Sequence, residues 1–128
     1  MLTVIIDTNF WLLPFQFHID IVEEIKKAVS GPCTLSYIDK TIDELEYLIE
    51  HGSPTERRAA RLGFDILKQS SAIPIKTDKL LNVDQLIVNT VTGPDFAVAT
   101  QDKELKAKIK AKNGRLIVMR QKKRIELI

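Results

Sequence analysis

Leu2-Thr3-Val4-Ile5-Ile6-Asp7-Thr8-Asn9 is the stretch on which the fold reading turns. Leu2–Ile6 is rich in β-branched residues and predicts a strand, and the strand runs directly into an acid. A second short apolar run, Phe96-Ala97-Val98-Ala99, leads through Thr100-Gln101 into Asp102. Between and beyond these runs, other short apolar runs alternate with segments of helical periodicity. That alternation predicts an α/β chain with a mostly parallel sheet.

Working outward, the apolar period predicts a helix from about Gln16 to Val29, stopped by Ser30-Gly31-Pro32. Cys33–Tyr37 reads as a second strand. Ser36 has the look of an N-cap, opening a helix that would bury Ile38, Ile42, Leu45 and Ile49. Ser53-Pro54-Thr55-Glu56 combines a capping box with proline at the first helical position, and its helix should reach Gln69. A strand near Ala72–Ile75 follows. Asn82 or Thr77 opens the next helix, which is apolar on most sides and should be well buried. Phe96–Ala99, Lys103–Lys112 and Leu116–Met119 complete the order β-α-β-α-α-β-α-β-α-β. Right-handed crossovers make this a three-layer α/β/α sandwich around a mostly parallel, five-stranded sheet. No linker or repeat divides the chain, so residues 1–128 are expected to form one domain.

The 128 residues are 45% hydrophobic and 28% charged, which excludes a disordered scaffold. No apolar run is long enough to span a bilayer, and the start lacks the basic region of a signal peptide. The single cysteine, Cys33, allows neither an internal disulfide nor a cysteine zinc site. A cytoplasmic protein without membrane association is the expectation. The net charge of +2 conceals a division: residues 1–101 hold 9 Lys and Arg against 14 Asp and Glu, whereas residues 102–128 hold 10 against 3. A basic end on an acidic body raises the question of a nucleic-acid partner.

In open parallel sheets, ligands bind outside the carboxyl ends of the strands. Asp7 and Asp102 fall at that edge. Glu44, on the flank of its helix, and Asp84, in the first turn of another, can reach it. Each has a plainer reading: Asp7 as a turn residue, Glu44 as a capping partner of Thr41 or a solvated acid, Asp84 as an acid facing the helix dipole, Asp102 as the N-cap of the helix at Lys103. Taken together, converging carboxylates need protonation, solvent or a cation. Oxygen donors without nearby His or Cys suit Mg²⁺ or Mn²⁺ rather than Zn²⁺. Such an ion can activate water and neutralise a phosphodiester transition state. Lys103, Lys106 and Lys110 share a helix face, and Arg120, Lys122, Lys123 and Arg124 form a denser group suited to phosphate contact. The Phe10, Trp11, Phe15 and Phe17 group is expected in the core or at a dimer contact.

These residues resemble the PIN-domain ribonucleases over nearly the whole chain. Ile5-Ile6-Asp7-Thr8-Asn9-Phe10 is similar to their opening motif. Asp43-Glu44-Leu45, Val83-Asp84-Gln85-Leu86-Ile87 and Val98-Ala99-Thr100-Gln101-Asp102-Lys103-Glu104-Leu105 are similar to the segments carrying their other three acids. Within the family, the pattern is nearest to the small-ribosomal-subunit RNA-processing nucleases and their archaeal relatives. It departs from them at Gln85, where that branch often has a second acid, and it lacks the zinc features of the branch's eukaryotic members. The resemblance implies a PIN-like fold and a metal-dependent endoribonuclease. Asp7, Glu44, Asp84 and Asp102 would ligate Mg²⁺ or Mn²⁺, with Asn9 and Thr100 supporting them by hydrogen bonds. RNA would be the substrate. Pairing into a homodimer, with an antitoxin or with a ribosome-assembly partner would follow from different branches. A VapC-type toxin and a non-catalytic RNA-binding module are the alternatives inside the family. Outside it stands a phospho-accepting receiver domain.

Overall fold

The computed structural model describes all residues, Met1–Ile128. The elements in chain order are β1 (Leu2–Ile6), a 3-10 turn (Thr8–Leu12), α1 (Leu13–Phe17), α2 (Ile21–Val29), β2 (Cys33–Ile38), α3 (Lys40–His51) and α4 (Pro54–Gln69). Then come β3 (Ile73–Ile75), α5 (Val83–Thr90), β4 (Phe96–Ala99), α6 (Lys103–Ala111), β5 (Arg115–Arg120) and β6 (Arg124–Leu127). The sheet order is β3-β2-β1-β4-β5-β6. All neighbours are parallel except β5 and β6, which form an antiparallel hairpin.

Successive residues of β1 serve opposite cores. Val4 and Ile6 pack with Leu35, Ala97, Ala99 and the apolar faces of α2, α3 and α4. Ile5, between them, packs with Val98, Leu116 and the inward faces of α5 and α6. A strand covered on both faces has no reason to alternate with polar residues, and LTVII does not. The three-layer sandwich is therefore present, with α1–α4 on one side and α5–α6 on the other.

The sheet has six strands, not five. Arg124–Leu127, expected to be a basic tail, pairs with β5 and buries Ile125. The stretch expected to be one helix from Gln16 is broken at His18, which takes a left-handed φ of 55°; α2 restarts behind Asp20, whose carboxylate caps Glu23 N. Ser36 is not a cap. It lies in β2 and donates its hydroxyl to the Val4 carbonyl at 2.7 Å, while Asp39 caps α3. Ile38 accordingly belongs to the sheet. The Ser53–Glu56 capping box forms as expected, and Asn82, not Thr77, opens α5. Phe10 and Trp11 are buried, so they offer no apolar surface to a second copy. In a receiver sheet the third strand lies across the first from the second. Here β3 lies outside β2, which removes that reading.

The β5–β6 turn carries Gln121 and Lys122 at φ 55° and 62°, both left-handed. Lys123 N closes it onto Arg120 O. Left-handed residues with a Cβ cost roughly 1–2 kcal/mol each, and such turns favour Asn-Gly. The double variant Gln121→Asn, Lys122→Gly is therefore expected to be more stable by about 1 kcal/mol or more. Urea unfolding midpoints would measure it.

Candidate active site

The sheet order reverses direction between β1 and β4: β2 and β3 extend one way, β5 and β6 the other. Such a switch point leaves a crevice at the strand ends, where connections diverge. Asp7 emerges there from β1, and its N–H donates to the Ala99 carbonyl of β4 at 3.0 Å. The adjacent cleft, about 570 Å³, is lined by Asp7, Thr8, Asn9, Lys40, Asp43 and Glu44, and by Tyr47, Leu48, Asn82, Val83 and Asp84.

Asp7 is only 5% exposed. Burial raises its pKa to about 6; a hydrogen bond from Thr100 works against the rise, and the neighbouring Asp84 and Glu44 add to it. Thr100 is wholly buried, and its hydroxyl accepts from Asp102 N at 3.1 Å and donates to Asp7 Oδ2 at 2.9 Å. The hydroxyl has a single proton, so these two bonds fix its direction.

Glu44 stands in the second turn of α3. Its Oε1 accepts from the Thr8 hydroxyl, which also lies 2.9 Å from the buried Thr41 hydroxyl. Thr8 spends its proton on Glu44, so Thr41 donates to Thr8. A chain Thr41–Thr8–Glu44 thus sets the position of the carboxylate from two elements at once.

Asp84 follows the Asn82 cap of α5, half-buried at the cleft wall. Burial, then the charges of Asp102 and Glu104, raise its pKa; Lys108 opposes them. Asp102 is exposed and does not line the cleft. One of its oxygens accepts from Leu105 N at 3.0 Å, so it is the N-cap of α6 as well as a neighbour of Asp84. Asn9 lines the cleft, but its side chain takes no part in these hydrogen bonds. It also lines a second groove with Gln16, Thr55 and Gln101.

The segment 76–82, which reaches the cleft at Asn82, is tied to the start of α3. Asp39 accepts from Thr77 N and Oγ1 at 2.9 and 2.6 Å. Burial pushes against its charge, but the hydrogen bonds from Thr77 and Lys40 outweigh it and hold the carboxyl below the usual range. Lys40 Nζ donates to the carbonyls of Lys79 and Leu81 at 3.2 and 2.8 Å. Asp43, also on the wall, pairs with Lys79 at 3.1 Å.

The predicted basic residues lie off the cleft. Lys103 and Lys110 are exposed and Lys106 is half-buried on α6. Arg120 and Arg124 both pair with Glu126, at 2.8 and 3.0 Å, which leaves Lys122 and Lys123 unpaired at the hairpin tip. Because β5 runs parallel to β1 and β4, that tip leaves the sheet at the same edge as Asp7. Sequence reasoning did not single out Lys40, Tyr47 or Lys108, and named Thr41 only as a capping partner of Glu44. Thr41 and Tyr47 share helical spacing with Glu44, a signal that was present.

The structure has five ion pairs, and none includes Asp7, Glu44, Asp84 or Asp102. Asp7, Glu44 and Asp84 face one cleft without a paired cation. No three His, Cys, Asp or Glu side chains are gathered closely enough to hold a metal ion together. Mg²⁺ does not require such a group: it keeps waters and is commonly held by one or two carboxylates plus a substrate phosphate. The oxygen donors and their unbalanced charge fit such an ion.

A carboxylate cleft at the switch point of an α/β/α sandwich places the candidate site where ligands of open parallel sheets bind. The chain belongs to the PIN-like domain family, whose model matches residues 4–122. It is similar to Ribonuclease VapC4 of Methanocaldococcus jannaschii, with 29% identity across 99% of this chain and 97% of that protein. It is also similar to the PIN domain endonuclease Utp24, whose solved structure superposes with a TM-score of 0.78. That match has 28% identity and covers 98% of this chain and 90% of the other.

Proposed function

We propose that the chain is an endoribonuclease, hydrolysing RNA phosphodiester bonds with Mg²⁺ or Mn²⁺. The observation that carries this reading is Asp7: a buried carboxylate at the switch point, beside Glu44 and Asp84, with no Lys or Arg paired to it. Asp7, Glu44 and Asp84 would hold the ion from the cleft, directly or through its waters, and Asp102 from its border. A bound divalent cation neutralises phosphate charge and activates water.

The remaining work falls to the chain's own groups. Thr100 fixes the Asp7 carboxylate, and the Thr41–Thr8 pair fixes Glu44. Lys40 brings the only basic side chain among the cleft-lining residues. Lys122 and Lys123 would hold the RNA backbone as it leaves the cleft, with Lys103, Lys106 and Lys110 along a second path. Arg120 and Arg124, shared with Glu126, would shape the hairpin and contribute less charge.

Purified protein with Mn²⁺ is expected to cut RNA, and EDTA to stop it. Asp102→Asn should lower the rate at least 100-fold while leaving the far-UV spectrum unchanged. Full activity in that variant would remove Asp102 from the site. Binding without cutting, and without heat on metal titration, would favour a non-catalytic module.

The physiological role we propose is ribosomal RNA processing, from the motif resemblance described above. A VapC-type toxin is the second reading, which the similarity to VapC4 favours. Purification from the native host separates them. A co-purifying small protein that blocks cutting supports the toxin; association with ribosomal precursor RNA supports processing.

A further inference from the structure

Tyr47 is 63% exposed, unusual for a large aromatic side chain that lines a cleft. Its ring stacks on His51, with centroids 4.6 Å apart and planes inclined by 29°. The pair occupies the same face of α3 as Glu44, at spacings of three and seven residues. Three residues advance about 4.5 Å along a helix axis, so the platform begins one turn from the acid. His51 is also exposed, and Tyr47 makes no side-chain hydrogen bond within the chain. Folding therefore gains little from holding this ring at the cleft.

We propose that the Tyr47–His51 pair is a stacking platform for an unpaired nucleobase next to the scissile phosphate. The proposal rests on the endoribonuclease reading and deepens it, by naming the side chains that would hold a base of the substrate beside the acids. An exposed aromatic face is the common device for holding single strands, because every base has a π-face. A base in a duplex is already stacked on both sides and cannot use it. The His51 ring stacked on Tyr47 braces it from one side. Lys40 lines the same cleft, and no cation lies over the Tyr47 ring.

The test measures RNA binding in the Asp7→Asn background with Mg²⁺ present, which separates binding from cutting. A short labelled oligouridylate is compared with the same strand carrying one abasic residue at successive positions. Tyr47→Ala should weaken binding of the intact strand about tenfold, in the range for loss of one stacked base. Tyr47→Phe and Tyr47→Trp should bind like the parent. At one position the abasic strand should bind the parent and Tyr47→Ala equally. Equal affinity of Tyr47→Ala and the parent for the intact strand overturns the proposal, as does absence of binding by both. So does a preference for duplex over single strand. If Asp7→Asn still cuts RNA, the nuclease assignment to these acids fails instead, and the same comparison in EDTA, where the strand stays intact, reads the platform.

Discussion

Asp7→Asn is expected to do two opposite things: raise the melting temperature of the metal-free protein and abolish RNA cleavage. The physical cause is the burial of a carboxylate whose pKa in the folded chain is about 6 against an ordinary 3.8. A raised folded-state pKa means that the fold prefers the protonated acid. The stability linked to Asp7 is fully present below pH 3.8 and is lost as pH rises through about 6. Two pKa units correspond to about 3 kcal/mol at neutral pH and above. Asparagine keeps the shape and carries no charge, so it escapes that cost. In EDTA at pH 8 the variant should melt higher by several degrees, up to about 10 °C. The gap should narrow between pH 6 and 4. Mg²⁺ or Mn²⁺ should raise the wild-type melting temperature, more at pH 8 than at pH 5, because only the ionised acid binds. The variant should show no such response. A wild-type protein whose melting ignores both metal and the substitution would sink the account of Asp7 as an unneutralised ligand.

Gly63→Ala is expected to cost more stability than any other single-methyl change in the chain. Gly63 lies inside α4, where alanine on propensity alone would be favoured by about 1 kcal/mol. An added Cβ would sit 2.2 Å from the Trp11 carbonyl oxygen and 3.0 Å from its carbon. Both contacts are to backbone, so no side chain can swing away. Either α4 moves off or the 3-10 turn shifts, and the expected loss is about 3 kcal/mol or more. The turn begins with Thr8 and Asn9, so displacement there reaches Glu44 through the Thr8 hydroxyl. The folded fraction should consequently cut RNA more slowly than wild type, and urea unfolding with single-turnover cleavage separates the two effects. Wild-type stability would mean that α4 and the turn are not held in contact.

Much of the frame could be read from local signals. Leu2–Ile6 and Phe96–Ala99 were found because strands buried on both faces leave uninterrupted β-branched or small apolar runs. The Ser53–Glu56 box was found because capping depends on residues three apart. Ser36 misled because its hydroxyl has a partner, the Val4 carbonyl, that lies 32 residues away in sequence. The sheet outcompeted a local cap. Arg124–Leu127 was missed because a strand of four residues, with only Ile125 and Leu127 facing inward, hardly shows a period of two. At the site, the acids were legible by their place after strands and in first helical turns. Their holders were not: Thr41 and Thr8 are ordinary threonines until α3 is laid against the turn. Asp102 shows that a plain role and a functional one can share a side chain, since one oxygen caps α6 while its charge bears on Asp84.

The bond between Asp7 and Thr100 spans 93 residues. On a ribosome, the first strand of this protein is made early and waits. One of its neighbours in the sheet, β2, follows soon after, but the other, β4, emerges only when most of the chain has been synthesised. Contacts this distant in sequence form late. Until β4 docks, Asp7 has neither its hydroxyl partner nor the carbonyl that positions its backbone. A nuclease of the kind proposed is thereby born without its cutting edge, beside the RNA of the machine that makes it.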